Sequence, residues 1–192
     1  MKISDYIVPI YNKNNEFLGT GFIVENILIT AAHVINSDLL DFIFYFKEEK
    51  NHANFKDLIK FEYPENGEKQ CVNFYKDIAM FNLKSITDSP LIFTKLLLNI
   101  PCCYHGYSFN EEKGVREEDF YGNIFLENNA YDCNINKNYF YSEDSKCKVG
   151  NSGGPLLQGN GIVGMLIRKR DYIDSSKDIF IKSEYIQELL NS

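Results

Sequence analysis

Short apolar stretches recur along the chain, separated by polar residues and by Gly and Asn, which is the pattern of many short strands. The first set reads as Tyr6 to Ile10, Phe17 to Val24, Ile27 to Thr30, Phe42 to Phe46, Leu58 to Tyr63, Cys71 to Tyr75 and Ile78 to Leu83. The second reads as Pro101 to Tyr107, Asp119 to Leu126, Tyr139 to Tyr141, Pro155 to Leu157, Gly161 to Ile167 and Asp178 to Ile181. Only the segment SEYIQELLNS has a helical period. There Tyr185, Ile186, Leu189 and Leu190 share one face and Ser183 is placed to cap.

So many short strands with a single helix predict an all-β fold of two sheets or barrels, since a βαβ arrangement needs helices between its strands. The join falls near Thr87 to Thr94. The polar stretches Lys47 to Lys56, Asn110 to Glu118 and Asn128 to Asn138 read as surface loops.

Composition narrows the function. A chain of 192 residues with 44% apolar residues can bury one good core or two small ones. It contains no apolar run of membrane-spanning length, and its first residues lack the basic-then-apolar pattern of a secretory signal, so a soluble cytoplasmic protein is expected. A formal charge of -7 argues against nucleic acid as a partner, because phosphate binding relies on clustered Lys and Arg. The five cysteines, with Cys102 and Cys103 adjacent, read as reduced thiols rather than a disulfide framework. Cys102, Cys103 and His105 fit no common zinc spacing, so no metal is expected.

Three segments carry candidate chemistry. In Gly150-Asn151-Ser152-Gly153-Gly154-Pro155 the flanking glycines let the N–H groups of Gly150 and Ser152 converge on one point. A serine that attacks a carbonyl needs such donors for the oxyanion and a base for its proton. Taken alone, the segment is only suggestive, the alternative being a glycine-rich turn with an incidental serine. His33, in Thr30-Ala31-Ala32-His33-Val34, follows an apolar run and could point into a cleft or be a satisfied core histidine. Asp77, in Lys76-Asp77-Ile78-Ala79-Met80, opens an apolar strand, a place where aspartate is commonly only a turn former.

Together these segments resemble the trypsin-like (chymotrypsin-fold) serine peptidases, whose triad runs in the order His, Asp, Ser in motifs of the form TAAH, DIAL and GxSGGP. The resemblance covers most of the chain. It implies two antiparallel β-barrels in one domain over 1–192, the first about 1–90, the second about 91–182, with a C-terminal helix at 183–191. It also implies His33 as general base, Asp77 as its orienter, Ser152 as nucleophile, and Gly150 and Ser152 as oxyanion donors. No cofactor is implied. The segment also satisfies G-x-S-x-G, the nucleophile elbow of α/β-hydrolases, but all three histidines precede Ser152, whereas those enzymes place theirs after it. His52 lies in a polar loop and His105 in a strand-turn, so neither rivals His33.

Departures from the family refine the expectation. Val34 stands where secreted members carry a disulfide cysteine, which is similar to the disulfide-free bacterial, HtrA-type branch. Asn151 is uncharged, whereas zymogen-activated members place an aspartate there. In the trypsin-like enzymes the residue six before the nucleophile lies at the base of the specificity pocket, so the resemblance implies Lys146 there. Lys148, Met165, Leu166 and the run Arg168-Lys169-Arg170 are the other residues expected near substrate. The function expected is a serine endopeptidase acting on a protein or peptide, restrained until an activating or targeting protein partner binds. The rival is a catalytically silent binding module on the same scaffold.

Overall fold

The structure is a computed structural model. It describes residues 2–35, 41–63, 76–84, 86, 88–97, 99–113, 115–126, 138–142, 146–169 and 178–192, without the side chains of Val115, Arg168 and Lys169. The first sheet is built from β1 (Ile7–Asn12), β2 (Phe17–Val24), β3 (Ile27–Thr30), β4 (Asp41–Phe46), β5 (Glu49–Asn54), β6 (Leu58–Glu62) and β7 (Ile78–Asn82). Its strands lie in the order β5-β4-β1-β2-β3-β7-β6 and pair antiparallel. Local turn chemistry sets the hairpins. Asn12 Oδ1 accepts the N–H groups of Asn14 and Glu16, folding the chain back from β1 into β2. Lys47 and Glu48 both take positive φ, as a two-residue I′ hairpin between β4 and β5 requires.

The second sheet comprises β8 (Ile92–Phe93), β9 (Cys102–Asn110), β10 (Val115–Ile124), β11 (Tyr139–Tyr141), β12 (Pro155–Gln158), β13 (Gly161–Lys169) and β14 (Asp178–Lys182). The order is β10-β9-β12-β13-β14-β11, with β8 added parallel to β13. Among the described residues there are also two short α-helices, α1 (Ala32–Ile35) after β3 and α2 (Ser183–Leu190) after β14.

The inward faces of both sheets merge in one core. It contains Phe22, Leu28, Phe42 and Phe81 from the first sheet and Leu157, Ile162, Met165 and Ile181 from the second. A smaller cluster around Tyr104, Leu156, Val163, Leu166 and Phe180 belongs to the second sheet alone.

Several elements differ from the expectation. The stretch read as a loop from Lys47 to Lys56 contains β5, a polar strand held in place by its pairing with β4. Likewise, Asn110 to Glu118 is mostly the end of β9 and the start of β10, joined by a tight turn at Asn110–Lys113. His33 lies on the single turn of α1. Ser183 does not cap α2; it is the first helical residue, and its hydroxyl donates to Thr94 O at 2.6 Å. The strand expected at Cys71 to Tyr75 and most of the loop at Asn128 to Asn138 lie outside the described residues.

Candidate active site

Pairing of β3 with β7 sets Thr30 opposite Ala79, which brings His33, three residues past Thr30, against Asp77, two before Ala79. Asp77 is buried, and each carboxylate oxygen is used. Oδ1 accepts the backbone N–H of His33 at 2.9 Å, and Oδ2 lies 2.6 Å from His33 Nδ1. A carboxylate can only accept, so Nδ1 carries a proton, and in the neutral imidazole Nε2 keeps its lone pair. The His33 side chain keeps 28% of its surface exposed, against 2% for Asp77, so the ring reaches solvent while its anchor does not.

Ser152 sits in the turn between Gly150 and Gly154. First-sheet residues hold one side of that turn: Thr20 N–H donates to Ser152 O at 3.0 Å, and Thr20 Oγ1 donates to Gly150 O at 3.0 Å. Second-sheet residues hold the other, with Tyr104 Oη donating to Asn151 O and Gly153 N–H to Leu166 O at 2.7 Å. Gly153 has a φ of +87°, and a Cβ there would come within 2.1 Å of Thr20 O and 2.4 Å of Thr30 Oγ1. The turn is thereby pressed against the end of β3, close to His33; that same Cβ would lie 3.0 Å from the backbone N of Ala31.

Asn151 N–H donates to Lys148 O at 3.0 Å, closing a four-residue turn whose third residue, Gly150, has a φ of +94°. A type II turn demands that sign of φ there, and only glycine takes it without strain. The carbonyls of Gly150, Asn151 and Ser152 are all committed to donors. Among the described residues, no acceptor is bonded to the N–H of Gly150 or of Ser152. Two unengaged donors beside a hydroxyl are what an oxyanion requires.

The register of β13 on β14 shifts between Leu166 and Arg168, so Ile167 has no partner in the ladder. Such bulges re-aim backbone groups. Here the freed Ile167 carbonyl accepts the Ser152 hydroxyl at 3.3 Å.

The residues expected to meet substrate make the following contacts. Lys146 Nζ donates to Asn123 O at 3.3 Å, and Lys148 Nζ pairs with Asp119 Oδ1 at 3.1 Å, so both ammonium groups are directed to β10. Met165 and Leu166 are buried in the two core clusters, on opposite faces of β13. Arg170 and the side chains of Arg168 and Lys169 lie outside the described residues. His52 faces Asp41 on the β4–β5 hairpin and His105 faces Glu118 on β9–β10; neither meets Asp77 or Ser152.

The sequence reading missed Thr20, Tyr104, Asp119 and Asp178. Asp178, fully buried at the start of β14, accepts the N–H groups of Lys146 and Cys147 at 2.9 and 3.1 Å and so anchors the approach to the Ser152 turn. Nothing in the local sequence distinguishes these residues, because each acts on a segment far away in the chain.

The family model described as Trypsin matches residues 2–189. The chain belongs to the trypsin family. No curated protein matches it. Among solved structures, this trypsin-family chain is similar to mouse neuropsin, at 13% identity and a TM-score of 0.68, over 97% of this chain and 95% of that one. It is also similar to the Rv3671c protease of M. tuberculosis in an inactive form, at 15% identity and a TM-score of 0.67, over 98% and 89% of the two chains. A third is the scabies mite inactivated protease paralogue S-D1, at 16% identity and a TM-score of 0.65, over 100% and 95%. At such identities the likeness establishes the two-sheet fold of the trypsin family, and activity has to be argued from the site.

Proposed function

We propose that this chain is a serine endopeptidase that cleaves peptide bonds through an acyl-enzyme. The observation that carries the reading is the His33–Asp77 pair, set beside a serine turn whose carbonyls are all engaged while the Gly150 and Ser152 N–H groups are not. His33 Nε2 takes the Ser152 proton as Oγ leaves the Ile167 carbonyl and bonds to the substrate carbonyl carbon. The carbonyl oxygen becomes an oxyanion that the two N–H groups meet. His33 then gives the proton to the departing amine, the C–N bond breaks, and the acyl group stays on Ser152. Water, deprotonated by the same imidazole, releases the acid and restores the serine. Asp77 stays ionised throughout, holding the Nδ1 proton in place and stabilising the imidazolium.

A second reading, a silent binding module, draws support from the likeness to an inactivated protease paralogue. This chain keeps His33, Asp77 and Ser152 together with the glycine turn, which favours chemistry. A fluorophosphonate probe separates the two. Wild type should be labelled at Ser152 and Ser152→Ala should not; absence of labelling in wild type favours the silent module.

A further inference from the structure

Asp119 is a buried carboxylate, 6% exposed, for which the proposed chemistry has no use. It lies on β10, paired across β9 with Gly106, and its surroundings form a closed ring. Asn151 Nδ2 donates to Asp119 Oδ2 at 2.8 Å and to Tyr107 O at 2.9 Å. Asn151 Oδ1 accepts the Lys148 N–H at 2.6 Å, and Lys148 Nζ returns to Asp119 Oδ1 at 3.1 Å. The two residues so gripped, Lys148 and Asn151, are the first and last of the turn that contains Gly150, and Asn151 directly precedes Ser152.

We propose that Asp119 is a positioning residue for the nucleophile turn: through Lys148 and Asn151 it fixes the backbone that presents the Gly150 and Ser152 N–H groups. The catalytic consequence rests on the peptidase reading, whereas the mechanical one does not. A buried carboxylate must keep its donors, because leaving one oxygen unpaired costs more than the pair gains when made. Burial alone would raise the Asp119 carboxyl, yet hydrogen bonds from Ser108, Asn151 and Lys148 outweigh it and hold the group below its ordinary value. Asp119 is therefore an anion at neutral pH, and the turn is the element that neutralises it. Lys148 is half exposed, so its charge is partly screened. The direct Asn151 bond is the firmer grip.

The test uses the whole chain. Asp119→Asn should speed amide hydrogen exchange at Asn151 and Gly154 by about tenfold or more, while β2 and β3 exchange as before; tenfold corresponds to about 1.4 kcal/mol of lost local stability. Fluorophosphonate labelling of Ser152 should slow about a hundredfold, with KM for a peptide ester changed less than about threefold, since a 1 Å misplacement costs that order in rate. Asn151→Asp puts a second carboxylate against the first and should act in the same direction. The double variant Asp119→Asn with Asn151→Asp exchanges donor and acceptor, and should recover about tenfold of the loss from Asn151→Asp, which a merely structural role would not do. Wild-type exchange at Asn151 and Gly154 in Asp119→Asn would overturn the inference. If wild type takes no fluorophosphonate, the peptidase reading falls and the exchange measurement alone decides on Asp119. If Asp119→Asn does not fold, Lys148→Met opens the ring from its exposed side, and unchanged exchange there would overturn the inference as well.

Discussion

A serine hydroxyl resting on a backbone carbonyl is a weak nucleophile until a base takes its proton. Ser152→Ala should therefore lower turnover by about a million-fold while moving the unfolding free energy by less than about 0.5 kcal/mol, because among the described residues the hydroxyl gives up only its long bond to Ile167. Peptide hydrolysis and chemical denaturation, run in parallel, check both halves. Asp77→Asn has a sharper rationale. The amide oxygen can still accept the His33 backbone N–H, but the NH2 then faces Nδ1 and forces the ring proton onto Nε2, the nitrogen meant to act as base. Turnover near neutral pH should fall by about ten-thousand-fold with the fold intact. Cys102 is a third residue-scale case. Burial, reinforced by the neighbouring Cys103, pushes its thiol up to about 12, so thiol reagents at pH 8 should modify it only after denaturation. Mass spectrometry of the alkylated native protein reads this directly.

Legibility in the sequence tracked the physical source of each element. β2, β3 and β11 are found over the expected residues because their apolar composition alone marks them as strands. β5 is polar on nearly every position and exists through its pairing with β4, so no local pattern announces it. β8 is two residues long, and α1 is one turn, both below any periodicity. The pairing of His33 with Asp77 could be anticipated because their motifs are local; the contacts of Asp119 could not, since they depend on which residues β10 happens to face. That strand also has a pH signature. The native Asp119 value lies below its unfolded one, so the stability it adds is fully present above about pH 4 and is lost as pH falls through the lower native value. The difference in melting temperature between wild type and Asp119→Asn should thus stay flat from about pH 5 to 8 and shrink only in stronger acid. A difference that collapsed near pH 6 would point to another group.

At the scale of the whole molecule, the two sheets are bound together rather than merely adjacent. Their inward faces share one core, Thr20 of β2 bonds the Ser152 turn, and Tyr185 of α2 reaches back to Glu62 of β6 at 2.6 Å. Sheets coupled in this way should unfold as one unit. Calorimetry should give a single transition whose calorimetric and van't Hoff enthalpies agree, with fluorophosphonate reactivity lost over the same interval. Two resolved transitions would show the sheets to be independent. The split of the site between sheets also has a consequence in time. A ribosome adding about 5–20 residues per second completes His33, Asp77 and the strands that pair them several seconds before it reaches Ser152 and the β13 bulge beyond it. Under the proposed function, the nascent chain then carries His33 and Asp77 without the serine they would serve, so no acyl-enzyme can form until the second half has emerged and docked.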